Sequence, residues 1–210
     1  MHYSNPISEI IEEYFDIFRG QGGYFVEDNR ALNYFQINPM NHDLQDVLLK
    51  VREIRDVELI SNEAEDAMVE HIVNLNIDGD LELTDNKLVM DIARMDFRGE
   101  TRFFYSFATR YCCYHHPELY PIYDFLIEQF LKLYYKRTNG VVIEDHQLFH
   151  YTSFRHLMRE YLDAFHLPLN SYWELDKFIW AYGKHIIEEF IEKNGLEQEE
   201  LPLLTALKNV

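Results

Sequence analysis

Apolar residues recur along this chain at spacings of three and four, the period of a helix buried along one face, and seldom alternate as a half-buried strand requires. Leu44, Val47, Leu48 and Val51 mark one face of a helix that runs to about Val57; Ala64, Ala67, Met68 and Ile72 mark the next, begun by Ser61 or Asn62. Leu88, Val89, Ile92 and Met95 mark a third, with Thr84 as its cap. Ser8 is suited to cap an earlier helix that stops near Gly20, and the GQGGYF stretch after it reads as a helix stop, since no strand precedes it to make a phosphate cradle. Beyond Gly99 the pattern predicts a helix through Tyr114, an HPELYP loop, a helix from Ile122 to Lys136, and a turn at Thr138 to Gly140. Then follow a helix from His146 to Phe165, a turn at Pro168 and a helix from Ser171 to Asn194, with the tail ELPLLTALKNV adding one turn. Short extended pieces are expected at Tyr24 to Val26 and Val141 to Ile143. The expected fold is all-α, a multi-helix orthogonal bundle with at most a minor β-hairpin, in which residues 1–210 form one domain.

Charge divides this bundle. Residues 1–100 hold 22 acidic against 8 basic side chains, residues 101–186 hold 9 against 9, and residues 187–210 hold 6 against 2, so the net charge of -18 lies outside the middle. An acidic helical part, 1–98, is thus expected to pack on a neutral, aromatic part, 99–210. With 47% of positions apolar the chain has enough material for a sizeable core. No apolar run of about 18 residues is present to span a bilayer, and the start MHYSNPISEIIEEYF lacks a basic head and an apolar h-region, so the expectation is a cytoplasmic protein with no membrane partner. Cys112 and Cys113 are adjacent, where a bridge would strain the backbone, and are expected as reduced thiols.

Four constellations carry candidate chemistry. Asn74, Asn76, Asp78, Gly79, Asp80, Glu82 and Asp85 follow the spacing of a calcium loop, but the first position is Asn and the last Asp. Asp78, Asp80, Glu82 and Asp85 are therefore weak metal candidates beside the plainer reading of an acidic turn. His146 and His150, four apart with His156 nearby, suit one helical face and hence zinc, although no HExxH motif or spaced cysteine pair supports it. No cofactor signature is present. Arg98, Arg102, Arg110, Lys132, Lys136, Arg137, Arg155 and Arg159 would form a phosphate-binding surface if packing brought them together, with Tyr111, Tyr114, Tyr120 and Tyr123 stacking on bases; a solvated helix face explains the same residues.

The fourth constellation is the segment SFATRYCCYHHPELYPIYD, residues 106–124, which crowds Arg110, Tyr111, Tyr114, His115, His116, Tyr120 and Tyr123 ahead of Asp124 and reads as the rim of a site. Asp124 falls at the start of a helix, where free N–H groups and the dipole favour a carboxylate and are expected to lower its pKa.

This segment, with ELDKFIWAYGK near the end, resembles a group of uncharacterised bacterial helical proteins that share Ser-Phe-Ala-Ser/Thr-Lys-Tyr, His-x-Pro, Pro-Ile-Tyr-Asp and Asp-Lys-x-x-Trp-x-x-Gly-Lys. More distantly, a helix, a short loop and Pro-x-x-Asp heading another helix are similar to the helix-hairpin-helix DNA glycosylases. That resemblance implies that Asp124 stabilises a cationic sugar, and that Arg110, or Arg102 just after Gly99, stands in the region of the attacking lysine. A guanidinium stays protonated and does not act as an amine nucleophile, and RGETR offers one glycine where the hairpin motif has two. Two readings of function follow: a glycosylase-like scaffold acting on or binding nucleic acid or nucleotides through Asp124, or an acidic interaction module that binds a basic protein.

Overall fold

The computed structural model describes residues 7–20, 22–55, 63–83, 85–165 and 169–194. The chain folds as helices α1 (Ile7–Arg19), α2 (Gly23–Ile37), α3 (Leu44–Arg55), α4 (Glu65–Leu75), α5 (Asp78–Glu82) and α6 (Asn86–Ala93), then a hairpin of β1 (Arg94–Phe97) and β2 (Glu100–Phe103). After it come α7 (Tyr105–His115), α8 (Phe125–Asn139), α9 (Asp145–Leu148), α10 (Tyr151–Phe165), α11 (Tyr172–Phe178), a π-helical segment Ile179–Gly183 and α12 (Lys184–Asn194). This is the expected all-α architecture with one antiparallel hairpin, whose register pairs Arg94 with Phe103 and Phe97 with Glu100.

At the centre lies α7. Every one of its residues except Ser106 is buried, as in a helix surrounded on all sides by the core. It packs chiefly on α6, α2 and α3, while α1 packs on α11 and the π segment, and α8 on the π segment and α12. Most of the buried apolar side chains form one contiguous cluster. Among the described residues no helix is long and apolar enough to cross a membrane.

Several local expectations are corrected. Residues Tyr24 to Val26 lie inside α2, and Val141 to Ile143 are irregular rather than extended strand. Met95 leaves the helix of Leu88, Val89 and Ile92 and enters β1, its side chain still buried. Asp85 caps α6 by accepting from the Lys87 N–H at 2.8 Å; Thr84 lies outside the described residues, as do Ser61, Asn62, Pro168 and the tail. Ser8 falls within the first turn of α1 rather than ahead of it. Leu44 is 53% exposed, although Val47 and Val51 of the same face are fully buried. The helix expected from His146 to Phe165 breaks at Phe149 and His150. Other punctuation falls where the sequence put it: Ser171 caps α11, and Gly140 ends α8 in the left-handed region at φ 67°.

Candidate functional site

The loop 116–124 is fixed to the core by its backbone. The Tyr123 N–H donates to Thr109 Oγ1 at 3.0 Å and the Tyr172 N–H to the Pro117 carbonyl at 2.7 Å. The Tyr120 hydroxyl donates to the Leu81 carbonyl at 3.1 Å and the Tyr151 hydroxyl to that of Pro121 at 3.3 Å. Such pinning holds Asp124 in an extended conformation, φ -143° and ψ 177°, where its Oδ1 accepts from the Ile127 N–H at 2.8 Å. The head of α8 thus meets the middle of α7, and it is this end-on contact, rather than helices packed side by side, that the short loop produces.

Behind Asp124 lies a buried network of charge. Lys177 of α11 is fully buried, and its ammonium donates to Asp28 Oδ1 at 2.8 Å and to Asp176 Oδ2 at 2.7 Å. Asp28, on α2, also accepts from the Tyr114 hydroxyl at 2.6 Å and from the Trp173 indole at 2.7 Å. Arg110, 3% exposed, places Nη2 at 3.8 Å from Asp124 Oδ2. Burial works to raise the pKa of Asp28, but Lys177, Arg110 and its hydrogen bonds outweigh it and hold the group below the ordinary carboxylate value. At Asp124 the balance reverses. Burial and the neighbouring Asp176 carboxylate raise its pKa against the opposing pull of Arg110, the Ile127 N–H and Lys177. The expectation of a lowered value is corrected: the helix terminus is there, but burial first, and then a second acid supplied by α11, outweigh it. With 28% of its side chain exposed, Asp124 is the member of this charged set that reaches solvent.

A second polar node lies on a neighbouring face of α7, about 100° round from the first. Asn41 Oδ1 accepts from the Tyr111 hydroxyl at 2.6 Å and from Lys50 Nζ at 3.0 Å, with His115 Nε2 also at 3.0 Å, while Asp78 accepts from the Asn41 side chain at 2.7 Å. Lys50 is fully buried and its pKa falls to about 8 through desolvation; burial and Lys50 push His115 well below the ordinary histidine value.

The sequence-predicted site residues divide between these places. Arg110, Tyr114 and Asp124 join the charged network, whereas Tyr111 and His115 belong to the Asn41 node. Tyr111, Tyr114, Tyr120 and Tyr123 are at most 5% exposed, so their rings have no face to offer a base. His116, half-buried, sits 3.6 Å from Glu118. Arg102 is exposed on β2 over the Phe97 ring, Arg98 pairs with Glu63 and Lys132 with Glu128 and Asp145. Of the basic set, Arg110 lies inside the molecule and Lys132 is engaged by carboxylates, while Arg98 and Arg102 share the Phe97 ring on the hairpin. The calcium-like window folds as the end of α4, the short α5 and the cap of α6, and Asp78 is turned inward to Asn41. His146 and His150 lose their common helical face at the break after Leu148. Among the described residues no three or more His, Cys, Asp or Glu side chains are grouped to hold a metal ion. Asp28, Trp173, Asp176 and Lys177 escaped sequence reasoning as site residues; Asp176 and Lys177 open the DKFIWAYGK motif, which was their one signal.

Comparison with known proteins adds identity but no reaction. The family model HI_0787_N, described as an N-terminal domain, matches residues 10–119, just over half of the chain. An uncharacterised protein of Haemophilus influenzae is 32% identical over 120 residues, which is 57% of this chain and 57% of that protein. The chain thus spans little more than half the length of the curated relative it matches. No solved structure matches. The matched stretch contains Asp28, Arg110 and Tyr114 and stops short of Asp124, Trp173, Asp176 and Lys177, so the charged network is closed by residues from beyond it.

Proposed function

The chain belongs to the HI_0787_N family, and we propose that it is a helical scaffold of the DNA-glycosylase kind that acts on a nucleotide or an unpaired base through Asp124, by charge and proton transfer and not by covalent attack. One observation carries this reading. A carboxylate that serves merely as a helix cap faces solvent alone, whereas Asp124 caps α8 with most of its side chain buried, has the Arg110 guanidinium 3.8 Å behind it and is the acid of the charged network that a ligand can touch, its pKa raised rather than lowered. A group so tuned suits proton donation to a leaving base and, once ionised, stabilisation of the cation left behind. Lys177 is the amine of the network, but it has no exposure and donates to two carboxylates, so the nucleophile in this reading is water.

The test is release of free base from nucleosides, nucleotides and single-stranded oligonucleotides carrying uracil, hypoxanthine or an alkylated purine. Wild-type protein should release base from at least one, and Asp124→Asn should abolish release while changing stability by less than about 1 kcal/mol, because a neutral Asn still caps. No release from any substrate, or equal release by the variant, overturns the reading. A second reading, an acidic module that binds a basic protein, is favoured by the burial of Lys50, Arg110 and Lys177, which takes cations off a surface already rich in carboxylates.

A further inference from the structure

A groove of about 410 Å³ opens between α1 and the junction of the π segment with α12. Tyr14 and Trp180 line it with Ile17, 43% exposed, the carboxylates Glu13 and Glu188, and His185, whose ring lies 6.0 Å from that of Tyr14. Both rings are held in place from the core: Tyr14 meets Tyr182 edge-on at 5.2 Å, and Trp180 meets Phe18 at 5.8 Å. Trp180 lies within Ile179–Gly183, where the π-helical turn shifts the side chains out of the α-helical phase. Single π turns inside α-helices recur at functional sites. A cation already tests the wall: Lys184 Nζ sits 5.5 Å from the Trp180 ring centroid.

We propose that this groove binds an alkylammonium group, seated over Trp180 and Tyr14 with Glu13 and Glu188 as counter-charge. The quadrupole of an indole attracts cations, most effectively weakly hydrated quaternary ones, and two carboxylates beside it offset the cost of drawing the charge out of bulk water. Lys184 occupies the indole face in the free protein and competes with the incoming cation. The ligand is a free small amine or the lysine side chain of a basic segment, which share this chemistry. The inference is independent of Asp124, whose failure as a catalytic group would leave it standing.

The protein's two tryptophans provide the measurement. Titration of uniformly ¹⁵N-labelled protein with tetramethylammonium chloride, against sodium chloride at equal ionic strength, should move the Trp180 indole resonance saturably and leave that of Trp173 in place; a Trp180→Phe sample assigns the two. Lys184→Gln should tighten binding by about threefold by removing the internal competitor, and Glu188→Gln, an exposed site that does not endanger folding, should weaken it by a similar factor. Equal shifts with both salts, joint movement of both indoles, or affinities unchanged by both variants would overturn the proposal. A decalysine peptide distinguishes the sources: affinity more than about tenfold above that of butylammonium, by engagement of several carboxylates, points to a basic segment, and equal affinity points to a free amine.

Discussion

Lys177 is fully buried between Asp28 and Asp176, and removing its charge leaves two carboxylates out of water with the Arg110 guanidinium as the nearest remaining compensation. Breaking a buried ion pair from one side costs about 3–5 kcal/mol, so Lys177→Met should lower the unfolding free energy by that amount in urea at pH 7, and by less near pH 4 where the carboxylates take up protons. A loss under about 1 kcal/mol at pH 7 would mean that the network is solvated. His115 gives a second residue-level expectation. Its folded pKa lies well below the unfolded value through burial and Lys50, so the fold favours the neutral ring. That stability is fully present above about pH 6.5 and is lost as the pH falls towards the folded value, with a limiting slope of about 1.4 kcal/mol per pH unit for the one group. Urea melts between pH 7 and pH 5 should show this slope, and His115→Gln should flatten it. At this scale the sequence displayed Asp124 as a cap, because a turn-forming Pro-Ile-Tyr-Asp ahead of an apolar run can be read locally. The upward shift of its pKa could not be read, since it comes from burial in the folded core and from the charge of Asp176, which a helix far along the chain supplies.

The elements show the same division between local and distant causes. Helices with strong periodicity were legible, as were the stops at Gly20 and Gly140 and the start at Ser171, since each rests on the backbone preferences of one or two residues. The hairpin was not, because its two-residue turn is Arg98-Gly99 in place of an Asn-Gly or Asp-Gly pair, and Arg98 is held at φ 54°. Arg98→Asn should relieve that conformation, raising stability by up to about 1 kcal/mol less the small worth of the exposed Arg98–Glu63 pair; thermal denaturation reads the sign. The π segment left no mark in the pattern either, yet Gly183 is tied to it. A Cβ there would lie 3.1 Å from Phe130 Cδ2 and 3.2 Å from Ile179 Cγ2, and Phe130 is itself wedged among Tyr134, Tyr161 and Tyr182. Gly183→Ala should therefore destabilise by about 1–3 kcal/mol, against the gain that alanine brings to an ordinary helix, because the rings have nowhere to move. A stabilised variant would show that the π turn relaxes to α at little cost.

At the scale of the whole molecule the question is what the exterior offers a polyanion. The sequence allowed a basic patch to form from its neutral middle, and the folded chain takes several members out of it: Arg110 enters the core, Lys132 is held by two carboxylates, Arg98 pairs with Glu63, and the tyrosines that would stack on bases are internal. Arg102 on β2 remains exposed beside Phe103, itself 45% exposed. Arg98 and Arg102 lie over the same Phe97 ring, and a pair of such cations neutralises on the order of one or two phosphates, so any binding should lose about one to two powers of ten for each tenfold rise in salt and be weak at the outset. The net charge of -18 opposes approach most strongly at low salt, where the Debye length grows towards ~30 Å. We therefore expect no measurable affinity for undamaged duplex DNA by fluorescence anisotropy at roughly 20 mM salt, and at most weak binding of single strands, reduced by Arg102→Ala and Phe103→Ala. Tight duplex binding that persists at roughly 0.15 M salt would mean that the exposed cations act together against the net charge, and would extend the Asp124 reading from nucleotides and unpaired bases to duplex repair.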